Sequence, residues 1–364
     1  MKLRKLPNMR SFTGFLFKDI TLVLSVTFLL FFSAFILNSL DSAIFPLYLV
    51  YIFISFVIFW IFSMIGFDIV SIFSRHFYIG SVALLVLTLI IGGVTRNTVR
   101  WIQLGPTSLQ PAEIVRPFLL LFFANYLGKG EVTLKKVGRA LLLLALPVTL
   151  ILVQPSLGVS ILTVVGFVGV LIASKFNKKY LLIGLVFCVA IAPLAWKLLA
   201  PYQRERITTF LEPTKDPTGA GYNSIQATIA AGSGKIFGTG LGKGVQTQLA
   251  FLPEKQTDFV FASTAEELGF VGAGFVLFVS FLILLRLVHF MEHAVSPSAR
   301  AYLSGFFLIY LIQLFIHVGM NMGMLPITGL PFPLLSAGGS SLLATMTGLG
   351  IALGAYNSSA SSRL

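Results

Sequence analysis

Charge is what this chain has least of. Only 13 of its 364 residues are Asp or Glu, and charged residues of both signs make up 11%. So little polar surface cannot cover a water-soluble protein of this length, which excludes an ordinary soluble domain. There is one cysteine, Cys188 within VFCVA, so no intrachain disulfide can form and a buried, inert thiol is expected. Period-two alternation of apolar and polar residues is missing, which argues against a β-barrel. The four histidines, His76, His289, His293 and His317, compose no zinc motif. His289 and His293 have the i,i+4 spacing of a metal pair but fall at the end of an apolar run, where a solvated helix end is the expected reading. No Ser-His-Asp or Cys-His arrangement follows from spacing. No small-residue cleavage site follows the first apolar run, which therefore reads as a retained helix rather than a signal peptide.

What the chain has in abundance is apolar length, with 56% hydrophobic residues. Runs able to cross a hydrocarbon core of ~30 Å recur near 20–37, 44–65, 79–95, 113–127, 140–153, 159–174, 180–199, 265–288, 302–319 and 341–356. The expected fold is all-α: a polytopic membrane protein of about ten helices, forming a single domain over 1–364. The net charge of +13 raises nucleic acid as a partner, but its distribution excludes it. Lys2, Arg4, Lys5, Arg10 and Lys18 precede the first run. Lys129, Lys135, Lys136 and Arg139 follow the fourth, and Lys175, Lys178 and Lys179 follow the sixth. This is positive-inside patterning in a multi-pass protein of the cytoplasmic membrane, with both termini cytoplasmic. Residues 1–19 form the cytoplasmic N-terminal segment, and 200–264 form a large extracytoplasmic loop expected to pack or hold short helices. On the same outer side lie TRNTVRWIQLGPTSLQPAE (95–113), QPSLGVS (154–160) and MNMGMLPITGLPFPLLSAGGSSLL (320–343). Gly and Pro in the last prevent a regular helix, so it should be buried in protein or line a wet cavity.

The scarce acids are unevenly spent: Glu254, Asp258, Glu266 and Glu267 fall within 14 positions. Glu266 and Glu267 open the eighth run, where a helix N-terminus favours acids. Asp258 follows Thr257 and has two readings: a helix cap, or a partly desolvated carboxylate able to act as a base. Glu113 and Arg116 are three apart at the start of a run and should pair on one helix face, for structure, for function or for both. Arg96 and Arg100 break the charge pattern by lying outside, and Trp101 beside them suits an interfacial anchor. The segment 202–248 is rich in Arg, Lys and Gly but is no nucleotide loop. Gly242-Lys243 has Phe237 where a Walker loop needs Gly and Gly244 where it needs Ser or Thr. Its glycines suit turns and close backbone approach, while Lys235, Lys243, Arg204 and Arg206 suit an anionic group such as a phosphate. Gly350 and Gly354 form a GxxxG pair that predicts close helix packing.

Taken in order, these stretches resemble the SEDS family (shape, elongation, division and sporulation). RWIQLGPTSLQPAE is similar to its outer RW…G…QP-S-E segment, and QPSLGVS to its QPDLGT segment. YQRERI…FLEP…DPTGAGYN…Q…GSG, FLPEKQTDFVFA…EELGF and GMNMGMLPITGLPFPLLSAGGSS complete the match. GYN and the run through FLPE are most like the RodA elongation branch rather than the FtsW division branch. The resemblance implies a peptidoglycan glycosyltransferase that polymerises lipid II into β-1,4 glycan strands during cell-wall elongation, releasing polyprenyl diphosphate. It implies a class B penicillin-binding protein (a transpeptidase) as partner, alongside the elongation machinery and polyprenyl-linked glycan. Asp258, Glu113 and Arg116 match the family's catalytic positions. Arg100, Gln110, Arg204, Arg206, Lys243, Glu254, Thr257, Asn321 and Ser340 are the substrate-binding candidates. A divalent cation, Mg2+ or Mn2+, suits the diphosphate, and no organic cofactor is called for. The chain departs from the pattern at Arg116, where the family has Lys, at Ser156, where it has Asp, at Gln256, where it has His, and at Lys235, where it has Gly. The rival reading is a transporter of the same lipid-linked precursor, for which internal repeats are expected and none is found. A non-catalytic scaffold for the transpeptidase is a third.

Overall fold

A computed structural model describes residues 19–95, 98–105, 107–216 and 219–361. Lys2, Arg4, Lys5, Arg10, Lys18 and Arg96 lie outside the described residues, as do Pro217 and Thr218 of the DPTGAGYN motif and the side chain of Cys188. The architecture is nearly all helical. In chain order the helices are α1 (Ile20–Leu40), α2 (Phe45–Met64), α3 (Phe67–Ile72), α4 (Ser74–Ile91), α5 (Pro111–Gly128), α6 (Leu134–Val153) and α7 (Leu157–Ala173). There follow α8 (Lys178–Leu198), α9 (Pro201–Leu211), α10 (Ala220–Ser233), α11 (Val245–Gln248), α12 (Val260–His293), α13 (Pro297–Asn321) and α14 (Gly339–Ser361). Each of the ten apolar runs overlaps one of the longer helices, and the third, 79–95, runs past the end of α4 at Ile91. Among the described residues six are long and apolar enough to cross a membrane: α1, α2, α4, α6, α12 and α13.

Apolar side chains face outward as freely as inward. Phe31, Phe53, Leu142 and Phe270 are exposed while Leu22, Leu29, Phe59 and Ile283 are buried. A helix apolar all round is stable only where its surroundings are apolar too, so this is a membrane protein. Within the bundle, helices approach closely where side chains are small. A Cβ added to Gly350 would stand 2.7 Å from the Phe59 carbonyl oxygen, and one at Gly354 would stand 2.8 Å from that of Phe62, so the GxxxG pair seats α14 on α2.

The expectation of an all-α fold needs one correction. Residues 93–109 form a three-stranded antiparallel sheet, β1 (Gly93–Thr95), β2 (Thr98–Leu104) and β3 (Thr107–Leu109). TVRWIQL is rich in β-branched and aromatic residues, and Gly105 (φ +64°) supplies the turn that pairs Leu104 with Thr107 and Ile102 with Leu109. The long segment between α8 and α12 packs as expected, holding α9, α10 and α11 and a 3-10 turn at Pro213–Lys215.

A second correction concerns Glu266 and Glu267. They do not open a helix; α12 begins at Val260, and they lie in its second turn. Two residues later Gly269 (φ 70°, ψ −168°) breaks the helix. The break frees backbone groups, and the loop 235–240 binds them. Thr239 and Gly240 amides donate to the Glu266 and Glu267 carbonyls at 2.9 and 3.0 Å, and the Phe270 and Val271 amides donate to the Lys235 and Ile236 carbonyls at 2.8 and 3.1 Å. The two carboxylates then hold the rest of the loop. Glu266 accepts from the amides of Gln246 (2.8 Å) and Thr247 (3.0 Å), and Glu267 from Gln248 Nε2 (3.0 Å) and from Ser39 Oγ on α1 (2.9 Å). Buried carboxylates are tolerated here because each is supplied with donors.

The close approach has a strict geometric requirement. Gly238 has φ +83°, and a Cβ there would lie 2.1 Å from the Glu267 carbonyl oxygen. Gly238→Ala is therefore expected to cost about 1–3 kcal/mol. It should lower the melting temperature of the detergent-solubilised protein, whereas Gly80→Ala, which meets nothing within 4 Å, should not.

Candidate active site

One large cavity, of about 500 Å³, opens where the 251–259 turn, the start of α5, the start of α7 and the irregular segment 322–338 converge. The segment 322–338 is non-helical, as its Gly and Pro content demands, and its backbone groups are satisfied from α13. Gln313 Nε2 donates to the Pro331 carbonyl (2.8 Å), and His317 Nδ1 lies 2.7 Å from the Leu330 carbonyl, to which it must donate. One further turn along, Asn321 Nδ2 donates to the Asp258 carbonyl (3.0 Å) while Asn321 Oδ1 accepts from the Ala262 amide (2.9 Å). Gln313, His317 and Asn321 are spaced i, i+4, i+8 and share one face of α13, all of them buried.

The 251–259 turn is fixed from several sides. The Glu254 carbonyl accepts the amides of Thr257, Asp258 and Phe259, and Glu254 itself sits at φ 51°. Thr257 Oγ1 donates to the Glu254 carboxylate at 2.9 Å. Ser336 Oγ donates to the Thr257 carbonyl (2.6 Å), and the Ala337 amide donates to the Gln256 carbonyl (2.9 Å). Asp258 is thus no cap. The residue before α12 is Phe259, with no side-chain capping bond, and the Asp258 side chain lines the cavity with Glu254, Gln256 and Thr257.

Across the cavity stands the start of α5. Its Gln110 amide donates to Ser340 Oγ (2.7 Å), and Gln110 Nε2 donates to Ser156 Oγ (3.1 Å). Ser156, at the position where the motif has an acid, therefore acts as an acceptor that orients Gln110. One helical turn further, Glu113 and Arg116 pair at 3.1 Å with side chains 4% exposed each. Arg116 also donates to Gln313 Oε1 at 3.1 Å. Glu113 reaches the cavity wall; Arg116 stands behind it.

Of the expected residues, Asp258, Glu113, Arg100, Gln110, Arg206, Glu254, Thr257 and Ser340 line this cavity together. Arg206 Nη1 also donates to the Ile327 carbonyl (3.0 Å), and Arg100 lies over the Trp101 ring at 6.0 Å. The structure does not bring Arg116, Arg204, Lys243 or Asn321 to the lining. Arg204 donates to the Lys197 carbonyl (2.6 Å), Lys243 is exposed on the loop before α11, and Asn321 works on backbone. Gln313, which binds Arg116 and the Pro331 carbonyl, joins this arrangement without being among the residues expected there. Its signal was three polar residues at four-residue spacing inside the apolar run of α13, where polar groups are costly and therefore informative.

Removing one member of a buried ion pair strands the other, which typically costs about 3–5 kcal/mol, whereas replacing both by apolar residues is far milder. Arg116→Met and Glu113→Leu alone should each lower the melting temperature more than the double replacement does, and equal, additive losses in a double-mutant cycle would deny the coupling.

With this geometry in place, the comparisons with known proteins can be weighed. The profile of the family described as FTSW_RODA_SPOVE, cell cycle protein, matches residues 9–360. The peptidoglycan glycosyltransferase MrdB of Escherichia coli is 38% identical over 283 residues, which is 77% of this chain and 76% of the relative. The probable peptidoglycan glycosyltransferase FtsW of Buchnera aphidicola subsp. Baizongia pistaciae is 35% identical over 272 residues, 72% of this chain and 70% of the relative. Among solved structures, a chain from work on structural coordination of polymerization and crosslinking by a peptidoglycan synthase complex superposes with a TM-score of 0.81 at 30% identity, covering 94% of this chain and 98% of that one. The rod shape determining protein RodA of Thermus thermophilus superposes with a TM-score of 0.72 at 28% identity, with the same coverage, 94% and 98%. An agreement that runs nearly end to end in both sequence and fold places this chain in the FTSW_RODA_SPOVE family of cell cycle proteins, the SEDS family.

Proposed function

We propose that the protein is a peptidoglycan glycosyltransferase of cell-wall elongation. It joins lipid II units into β-1,4 glycan on the outer face of the bacterial cytoplasmic membrane. The observation that carries this reading is the shared cavity, which sets carboxylates of the Asp258 turn and of α5 around one space together with the guanidinium groups of Arg100 and Arg206. In this reading all ten long helices span the membrane, both termini are cytoplasmic, and the cavity end faces outward, because the basic clusters gather at the opposite ends of the helices.

The acceptor's GlcNAc 4-hydroxyl attacks the anomeric carbon of the donor's MurNAc, and polyprenyl diphosphate leaves. Asp258 takes the hydroxyl proton, since a hydroxyl is a weak nucleophile until a base within hydrogen-bond reach shares its proton. Single displacement turns the donor's α linkage into a β bond. Arg100 and Arg206 meet the charge that grows on the departing diphosphate, a preorganised role that needs no reorganisation during reaction. Glu113 faces the same space, and Arg116 pairs with it from behind. Gln110, Ser340, Thr257 and Glu254 supply polar contacts to the sugars, while Asn321 is a positioning residue for Asp258. A divalent cation, Mg2+ or Mn2+, enters with the diphosphate as part of the substrate. No organic cofactor is needed. The partner is a class B penicillin-binding protein, whose transpeptidase activity consumes the glycan.

Two experiments test this. Purified protein, with a class B transpeptidase partner and labelled lipid II, should yield a glycan ladder that Asp258→Asn abolishes without loss of fold; lipid movement with no ladder would support the transporter instead. Asn321→Ala should lower kcat about 100-fold, the scale expected for a base misplaced by about 1 Å, while KM stays within a few-fold. Asn321→Gln, which keeps both the amide donor and the acceptor, should recover part of the loss. A fall in KM-dependent rates alone would remove the positioning role.

A further inference from the structure

The end of α12 farthest from Asp258 gathers a second set of polar residues that the reaction does not use. That set lies at the far end of this 34-residue element, beyond the Gly269 break. There His289, Glu292 and His293 bring three ligand atoms within 4.8 Å of one another. Several features prepare them to bind a cation. His293 Nδ1 lies 2.8 Å from the His289 carbonyl oxygen. A carbonyl only accepts, so Nδ1 carries the proton and Nε2 presents its lone pair, the arrangement that fixes a metal-ligating imidazole. The two imidazoles sit 4.1 Å apart between centroids, and Tyr356 of α14 packs on both, at 5.7 Å from His289 and 6.4 Å from His293. Tyr356 is itself stacked on Phe290 at 4.5 Å, so the rings are held from a second helix.

Electrostatics favour the same conclusion. α12 ends at His293, and a helix C-terminus, with its unsatisfied carbonyls, attracts positive charge. Arg286, one turn before His289, is paired: its Nε donates to both Asp19 carboxylate oxygens at 3.1 Å. Glu292 is exposed and has rotamer freedom to close on the two imidazoles.

We propose that His289, Glu292 and His293 form a site for a borderline divalent transition metal, with zinc the preferred ion. Two imidazole nitrogens and one carboxylate oxygen suit Zn2+, whereas Mg2+ and Ca2+ favour all-oxygen shells. All three ligands come from little more than one helical turn, so a fourth coordination position remains for water. The metal ties the last turn of α12 together.

The test uses the full-length chain without a polyhistidine tag, in detergent micelles, stripped with chelator and titrated with Zn2+ against a fluorescent competitor. One equivalent should bind per chain, and zinc should raise the melting temperature. His289→Gln and His293→Gln should each weaken binding by at least about tenfold and remove the thermal shift, and Glu292→Gln should weaken it several-fold. His76→Gln should change neither, and excess Mg2+ should not compete. Less than half an equivalent on the wild-type chain would overturn the site, as would unaltered zinc binding by a folded His289→Gln/His293→Gln double variant.

Discussion

Everything at the cavity end of this protein depends on one constraint: irregular backbone inside an apolar bundle must find its hydrogen bonds from the protein itself. Three stretches break the helical pattern there, namely 235–244, 251–259 and 322–338, and each is satisfied by a specific neighbour. The loop 235–240 takes up the amides and carbonyls freed by the Gly269 break. The Asp258 turn is closed on the Glu254 carbonyl and tied to Ser336 and Ala337. The last segment hangs from Gln313 and His317. The cavity is the space these satisfied irregularities leave between them.

The polar face of α13 links the two sides of that space. Gln313 holds both the Arg116 guanidinium and the Pro331 carbonyl, and Asn321 holds the Asp258 carbonyl two turns away. A straight helix keeps residues eight apart at a fixed separation, so α13 acts as a ruler between the α5 ion pair and the Asp258 turn. Arg116 at this position sets its Nη2 3.1 Å from both the Glu113 carboxylate and Gln313 Oε1, pairing with the first and donating to the second.

Much of this was legible in the sequence, for identifiable reasons. Long apolar runs report helices because few alternatives bury so much apolar surface, and the Glu113–Arg116 spacing reports an ion pair because i,i+3 residues share a face. The irregularity of 322–338 followed from its Gly and Pro content. Glu266 and Glu267 were misplaced because local charge preference points to a helix N-terminus, while their true partners, Gln246, Thr247 and Ser39, are distant in sequence and fixed only by tertiary packing. The strands at 93–109 were missed because a seven-residue strand inside a loop offers too short a period to compare with its surroundings. Arg204 and Lys243 looked like site cations because charge type is visible in sequence and direction is not.

The docking of the loop on the broken α12 has an evolutionary consequence. The bonds made by Lys235 and Ile236 to Phe270 and Val271 run through backbone atoms, and the intervening Phe237 is exposed. Backbone pairing is blind to side-chain identity, so residues 236 and 237 can change chemistry without loosening the fold, so long as glycine stays at 238 and 269 and position 235 keeps a residue that tolerates its φ of 48°. The protein thereby carries a surface that can be rewritten to suit a different partner while the cavity beneath it keeps its shape.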